Sequence, residues 1–203
     1  MERNQFLYEM DTKKDLLFHG SSVQGIEILN PISKLHNSDQ KVIYLTSNLA
    51  YALVYIWDFM KTGTKQKWIT CGVKNGIVCY EEQFPDQLRE FYEGVEGYVY
   101  TVQKVDTIQC VEKREQMYFS TTPLPVTSTI YIPDVYQALC KCQEEGIFRL
   151  LRFTDATPEK QRQLIDMISD CIIQSGALHS NNEDSRFFQQ YFHAAWEKAS
   201  SGK

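Results

Sequence analysis

The 203-residue sequence predicts a mixed α+β fold, with strands dominating the first 111 residues and helices dominating the rest. Two observations carry this prediction. Short apolar runs that stop at Gly, Ser or Asn recur before residue 111, which is typical of buried strands. Apolar and aromatic residues then recur at helical spacing over 157–175 and 184–198. We therefore expect an α+β core over 1–115 and a mostly helical C-terminal extension over 116–203, packed on that core.

The composition bounds the class of protein. Hydrophobic residues make up 43% of the chain, which is enough for a sizeable core and far from a disordered composition. The net charge is −5 and the charges are interspersed, which argues against nucleic acid as a partner. No apolar run is long enough to span a membrane and no signal peptide is recognisable, so we expect a cytoplasmic protein with no membrane partner. The six cysteines include no Cys-x-x-Cys pair, so no metal site is expected.

The first strand is predicted over 15–19, an apolar run that ends in a polar group. A second strand is predicted over 42–46, after which Ser47 or Asn48 is suited to cap a helix over about 48–60. The helix prediction rests on apolar side chains that share one face: Leu49, Ala52, Leu53, Ile56 and Trp57.

The middle of the chain predicts a β-hairpin and two further strands. Apolar runs over 68–73 and 76–80 flank Asn75-Gly76, and Asn-Gly between such runs is a strong signal of a two-residue hairpin turn. A short helix is predicted over 85–92, with Pro85 in its first turn. The two further strands are predicted over 97–102 and 107–111.

The C-terminal part predicts one more strand, over 128–132, and three helices, over about 133–145, 157–175 and 184–198. The first two helices have Pro or Thr at the start and Gly past the end. The third helix carries a stripe of aromatic side chains, which is typical of a core or docking face: Phe187, Phe188, Tyr191, Phe192 and Trp196. It is therefore also a candidate surface for a protein partner or for self-association.

Polar groups stand where the first two strands end. Phe18-His19-Gly20-Ser21 closes the first strand, and Tyr44 lies near the end of the second. We expect His19 and Tyr44 at neighbouring strand ends, where the sheet opens into a cleft. Taken alone, His19-Gly20-Ser21 also fits an ordinary turn with the imidazole bonded to a neighbouring backbone group.

These motifs resemble the nicotinamide pocket of the ADP-ribosyltransferases of the diphtheria-toxin-like and poly(ADP-ribose) polymerase-like class. In that family the Gly of a His-Gly-Ser motif holds the carboxamide of NAD with its backbone N–H and C=O, and the His binds the adenosine-side ribose. The resemblance assigns these roles to Gly20 and His19, with Ser21 completing the motif. Tyr44 matches the residue that stacks on the nicotinamide ring, and Tyr55 matches a second Tyr that closes the other side in the polymerases.

The third element of the resemblance is an acid before a later strand. The polymerases place a Glu at the start of Glu-Tyr-Ile-Val-Tyr, and Glu96 stands in that register at the start of Glu96-Gly97-Tyr98-Val99-Tyr100. A carboxylate aligned on the ribose can stabilise the oxocarbenium-like sugar that forms when the C1′–N bond of NAD breaks. Glu93 is the main alternative acid and Glu112 a weaker one. A Glu before a strand is also commonly an ordinary solvated residue.

The resemblance follows a His–Tyr–Glu order over residues 16–102, about half of the chain. Residues 113–203 match nothing in that family's catalytic core. Ala52 stands where the polymerases have a small hydroxyl residue that contacts the carboxamide. The stretch from Tyr44 to Glu96 is short, which argues against an elaborate acceptor loop and against polymer elongation.

The resemblance implies a split antiparallel β-sheet of the ADP-ribosyltransferase-like fold. It implies an NAD-dependent mono-ADP-ribosyltransferase, a glycosyltransferase that transfers ADP-ribose to an unknown acceptor such as a protein, or hydrolyses NAD. The implied catalytic residues are His19, Tyr44 and Glu96, and the implied NAD-binding residues are His19, Gly20, Ser21, Tyr44 and Tyr55. NAD is then a substrate, and no metal takes part. The alternative is a catalytically inactive NAD- or ADP-ribose-binding module, or a protein-interaction module, with the same fold.

Overall fold

The computed structural model of the protein describes residues 15–35, 38–56 and 68–201, and these residues form a mixed α+β structure, as the sequence predicts. The strands among them are β1 (Leu16–Ser21), β2 (Ile28–Leu29), β3 (Ser33–Lys34), β4 (Lys41–Thr46), β5 (Thr70–Lys74), β6 (Ile77–Glu81), β7 (Gly97–Gln103), β8 (Gln109–Cys110), β9 (Met117–Ser120), β10 (Leu124–Pro125), β11 (Ser128–Ile132) and β12 (Phe148–Leu151). The helices among them are α1 (Leu49–Val54), α2 (Gln87–Tyr92), α3 (Val135–Glu144), α4 (Pro158–Gln174), α5 (Glu183–Tyr191) and α6 (His193–Ser201).

A seven-stranded antiparallel sheet contains all the strands that carry the candidate residues. Its order is β11-β7-β1-β4-β9-β8, and β3 pairs with β4 beside this path. Two smaller sheets are also present among the described residues. One pairs β10 with β2, and the other has three strands in the order β12-β6-β5. Strand β1 lies in the centre of the sheet, between β7 and β4. This position agrees with its apolar sequence, since strands that are covered on both sides are rich in apolar residues.

The chain divides into two units, each assembled from three separate segments. The first unit comprises the described residues of Met1–Asp58, Cys71–Cys79 and Tyr92–Arg149. The second comprises those of Phe59–Thr70, Tyr80–Phe91 and Leu150–Lys203. This division differs from the consecutive segments 1–115 and 116–203 expected from the sequence, because β9 and β11, which lie after residue 115, belong to the sheet of the first unit.

One face of the large sheet covers the core of the first unit. Alternate residues of β1, β4 and β7 point to this face and meet side chains from β2 and β10. The buried members of the cluster are Leu17, Leu29, Ile43, Leu45, Tyr100, Val102, Ile108 and Leu124.

Aromatic side chains form much of the core of the second unit. The ring of Phe84 lies 5.2 Å from that of Phe192 and 5.6 Å from that of Phe91. Trp68 packs 5.2 Å from both Phe188 and Phe192. Four side chains of the aromatic stripe predicted for the last helix therefore pack inside this unit: Phe187, Phe188, Tyr191 and Phe192.

Several predicted elements differ from those observed. The helix predicted over 184–198 is two helices, because Phe192 leaves the helical region with φ −116° and ψ 49°. The helix predicted over 48–60 ends at Val54, and residues 57–60 of that prediction lie outside the described residues. The sequence does not predict strand β9, since its four residues follow a charged stretch and its pairing partner β4 is distant in sequence. No helix in the described ranges is long and apolar enough to cross a membrane.

Candidate functional site

Strand β1 separates from β4 at the position of the His-Gly-Ser motif. With β7, the ladder of β1 is complete from Leu16 opposite Gln103 to Ser21 opposite Tyr98. With β4, the described residues of β1 form a single ladder pair, Phe18 opposite Thr46. The sheet is therefore split beyond Phe18.

The main chain of Gly20 faces this split. Lys104 N donates a hydrogen bond to Asp15 O over 2.7 Å, at the position that extends the β1–β7 ladder. Because bonded pairs alternate along an antiparallel ladder, the odd-numbered residues of β1 bond to β7 and the even-numbered residues turn their N–H and C=O toward β4. Phe18 meets Thr46 there, but Gly20 lies beyond that last pair. Its amide groups are therefore directed into the gap.

Tyr44 lies on the other side of the same gap. Ser47 N donates to Gln116 O over 3.2 Å, so the odd-numbered residues of β4 bond to β9 and Tyr44 turns its N–H and C=O the other way. Leu35 N donates to Gln40 O over 2.9 Å, so the even-numbered residues of β4 bond to β3. Strand β3 therefore lies on the same edge of β4 as β1 does. Tyr44 thus falls between the part of β4 that pairs with β3 and the part that pairs with β1.

The imidazole of His19 spans the gap. Its Nδ1 lies 2.9 Å from Tyr44 O, and because a carbonyl oxygen can only accept, Nδ1 carries the proton and Nε2 keeps a lone pair. Burial lowers the pKa of His19 below its ordinary value of 6.5, and the hydrogen bond to Tyr44 opposes this shift without reversing it. His19 is therefore a neutral side chain at pH 7, with Nε2 able to accept a hydrogen bond.

The candidate residues approach the gap from opposite faces of the sheet. An ideal Cβ on Gly20 would lie 2.0 Å from Ala52 O, so the Gly20 face is the one covered by α1. Strand alternation places Tyr44 on this α1 face and His19 on the opposite face. Tyr55 directly follows α1, is 39% exposed and packs edge-on against Tyr51, with ring centroids 5.3 Å apart.

The hydroxyl groups of Tyr51 and Tyr55 are protonated at neutral pH. Burial is the main cause that raises the pKa of Tyr51. Desolvation and the neighbouring Tyr51 raise the pKa of Tyr55. The hydrogen bond between the two side chains raises the pKa of Tyr55 and lowers that of Tyr51, so Tyr55 offers an uncharged ring while its hydroxyl is engaged with Tyr51.

Glu96 directly precedes β7, on the same face of the sheet as His19. Strand alternation puts it with Tyr98, which is the ladder partner of Ser21. An open depression there is lined by Ser22, Gln24, Glu96, Gly97, Tyr98 and Tyr131. The alternative acids Glu93 and Glu112 are exposed, and neither is among the described residues that line it. Of the three acids, Glu96 thus has the most defined surroundings.

Two tyrosines that sequence reasoning missed fix the surroundings of the motif. Tyr100 is fully buried, and its hydroxyl donates to Val23 O over 2.6 Å and accepts from Ile26 N over 3.4 Å. It therefore holds the turn that follows Ser21, whose Oγ accepts from Val23 N over 3.1 Å. Tyr131 donates a hydrogen bond to Glu96 Oε2. The available signals were the alternation of tyrosines in Tyr98-Val99-Tyr100 and the single Tyr131 in the predicted strand over 128–132.

Among residues 15–35, 38–56 and 68–201, no group of three or more His, Cys, Asp or Glu side chains could hold a metal ion. Comparison of the chain with protein-family models, with curated proteins and with solved structures gave no match.

Proposed function

We propose that this protein is an NAD-dependent ADP-ribosyltransferase-like enzyme that binds NAD at the split between β1 and β4. It transfers one ADP-ribose unit to an acceptor, or to water. The observation that carries the proposal is the direction of the Gly20 main chain into the gap beside Tyr44. A planar carboxamide needs one donor and one acceptor at such an edge, and Gly20 offers its N–H and its C=O.

The other residues at the gap support the same ligand. Tyr44 lies on the α1 face and Tyr55 directly follows α1, and aromatic rings suit the flat nicotinamide. His19 Nε2 is an acceptor for a ribose hydroxyl on the opposite face. Glu96, also on that opposite face, supplies a carboxylate for the sugar that becomes cationic.

The proposed reaction replaces one bond at C1′ of the nicotinamide ribose. The C1′–N bond breaks, and nicotinamide leaves with the electron pair, which neutralises its ring nitrogen. Glu96 stabilises the positive charge that develops on the sugar. A nucleophile then forms the new bond to C1′, and its proton passes to Glu96 or to solvent.

The binding step is tested with His19→Asn. The amide nitrogen of Asn can replace Nδ1 as donor to Tyr44 O, but no atom replaces Nε2. We expect NAD affinity to fall about 10-fold, the cost of one hydrogen bond, while the unfolding free energy changes little. Calorimetric titration with NAD and urea unfolding measure the two effects. Equal affinity of this variant and the wild type would contradict the role of His19.

The chemical step is tested with Glu96→Gln against Glu93→Gln. We expect Glu96→Gln to slow nicotinamide release from NAD by about 100-fold or more while NAD binding is retained. Glu93→Gln removes a nearby exposed carboxylate and should leave the rate unchanged. The acid assignment is wrong if Glu93→Gln is the slow variant or if neither variant is slow.

The second candidate function is a binding module without turnover, and Ala52 favours it. Ala52 is 2% exposed, and its methyl group cannot supply the hydrogen bond that the polymerases are expected to make from this position. A binder would be stabilised by NAD, by about 2.7 kcal/mol at 100 times the dissociation constant. Such a binding module would release nicotinamide from NAD no faster than the Glu96→Gln variant does. Thermal denaturation with NAD, together with the release assay, therefore separates the two functions.

A further inference from the structure

The hydroxyl of Tyr131 is hydrogen-bonded to the carboxylate of Glu96. Tyr131 lies on β11, where it is the direct partner of Tyr98, and Glu96 directly precedes the neighbouring strand β7. Glu96 precedes Tyr98 by two positions on the same face, so it is a diagonal neighbour of Tyr131. At this separation long side chains reach each other, and Tyr131 donates to Oε2.

Tyr131 is a well-anchored donor although it is half exposed. Its ring lies 5.4 Å from that of Tyr98, which in turn lies 6.1 Å from the ring of the buried Tyr100. The hydrogen bond to Glu96 is the main cause that raises the pKa of Tyr131, so the phenol keeps its proton at neutral pH. The hydroxyl of Tyr131 is therefore both fixed in position and protonated, as a donor to the carboxylate of Glu96 must be.

The backbone beside Glu96 is also fixed. Val95 N donates to Tyr92 O over 3.1 Å, and Val135 N donates to Val95 O over 2.8 Å. Gly97 has no space for a side chain, because an ideal Cβ would lie 2.4 Å from Ile56 Cγ2 and 2.8 Å from Ser21 O. Gly97 is also the ladder partner of Ile132, so the main chain is held on both sides of Glu96, and the hydrogen bond from Tyr131 holds its side chain.

We propose that Tyr131 is a positioning residue that holds Glu96 Oε2 and thereby leaves Oε1 for the ribose of bound NAD. This inference rests on the proposed function of the same site. The role of Tyr131 is to limit the rotamers of a long, exposed carboxylate, since a group that is already oriented loses less freedom when the transition state forms. No proton leaves Tyr131 in the reaction.

The test is Tyr131→Phe, which removes the hydroxyl and keeps the ring against Tyr98. We expect kcat for nicotinamide release to fall about 10-fold while KM for NAD changes less than about 2-fold. Tyr118→Phe is the matched control and should leave both constants unchanged, since the Tyr118 ring lies 4.8 Å from Lys104 Nζ, at the opposite end of β7 from Glu96. Thermal denaturation of each variant checks that the fold is retained.

A double-mutant cycle identifies the residue through which Tyr131 acts. In the Glu96→Gln background, Tyr131→Phe should change the rate of nicotinamide release less than about 2-fold, since the carboxylate that it positions is gone. A wild-type rate in Tyr131→Phe, or the same loss in both backgrounds, would overturn the positioning role while the proposed function stands. A wild-type protein that releases no nicotinamide would overturn both.

Discussion

Gly20 is required by packing as well as by the proposed ligand. Ala52 O lies 2.0 Å from the place of an ideal Cβ, and Ile56 Cγ1 lies 3.1 Å from it. The close atom of Ala52 belongs to the backbone of α1, which cannot move aside like a flexible side chain. The absence of a side chain therefore lets α1 lie directly on β1, and the main chain of Gly20 stays directed into the gap.

We expect Gly20→Ala to destabilise the protein by about 1–3 kcal/mol, because the added methyl group overpacks a rigid contact. Urea unfolding measures the change. Gly72→Ala is the matched control, since no atom lies within 4 Å of its Cβ position and Ala there should be tolerated. Equal stability of the two variants would show that the contact between α1 and Gly20 is looser than described.

His19 predicts a pH dependence of stability. Its pKa in the folded protein is lowered, so below pH 6.5 the unfolded chain takes up a proton more readily than the folded one. The contribution of neutral His19 to the unfolding free energy is complete above pH 6.5. It is lost as the pH falls toward the pKa of His19 in the folded protein. We expect the unfolding free energy of the wild type to drop more between pH 7 and pH 5 than that of His19→Asn. Parallel pH profiles of the two proteins, measured by urea unfolding, would contradict this.

Helix α1 is joined to two neighbouring turns through Asn48, the residue that caps its N-terminus. Asn48 Oδ1 accepts from Tyr51 N and caps the helix. Its Nδ2 donates to Gly76 O and to Gln116 Oε1, both over 3.0 Å. Gly76 belongs to the β5–β6 turn, where Asn75 and Gly76 have φ values of 52° and 77°, as the Asn-Gly signal predicts. One buried amide therefore connects the helix, the hairpin and the segment before β9.

We expect Asn48→Ala to cost about 2–4 kcal/mol, since it removes the cap and leaves two acceptors without their donor. Thr157→Ala is the comparison, because Thr157 Oγ1 caps α4 by accepting one exposed hydrogen bond from Lys160 N, and its loss should cost about 1 kcal/mol. Urea unfolding of both variants measures the difference. A cost for Asn48→Ala no larger than that for Thr157→Ala would mean that the Nδ2 bonds contribute little.

Local sequence signals predict individual helices, strands and turns well, but they predict poorly which strands pair with each other. The capping residues Asn48 and Thr157 and the Asn75-Gly76 turn are confirmed, because each acts within a few residues of its own position. The gap at Tyr44 depends on which strands share an edge of β4, and the bond between Tyr131 and Glu96 depends on the register of β11 on β7. Such pairings join distant segments, so no local pattern of residues encodes them.

Each unit of the chain is completed by segments that are distant in sequence. The sheet of the first unit needs β9 and β11, which pair with β4 and β7 and come after residue 115. The second unit combines residues 80–91 with the C-terminal segment. The order of elements along the chain is therefore a poor guide to where the chain can be divided.

We expect a fragment of residues 1–115 not to fold, since it lacks the partners of one edge of β4 and one edge of β7. A fragment of residues 1–149 contains every strand of the large sheet and should protect more backbone amides from exchange. Circular dichroism and hydrogen exchange of the two fragments, compared with the full chain, measure this. Native-like exchange protection in fragment 1–115 would contradict the observed division into units.

The interleaving of strands also has a consequence for synthesis on the ribosome. Strand β1 leaves the ribosome roughly 80 residues before its partner β7, a delay of roughly 4–16 s at ordinary translation rates. During that interval Leu17 and Phe18, which are 1% and 4% exposed in the finished fold, have no β7 to cover them. The newborn chain, rather than the folded protein, is therefore the species that we expect to aggregate and to need a chaperone.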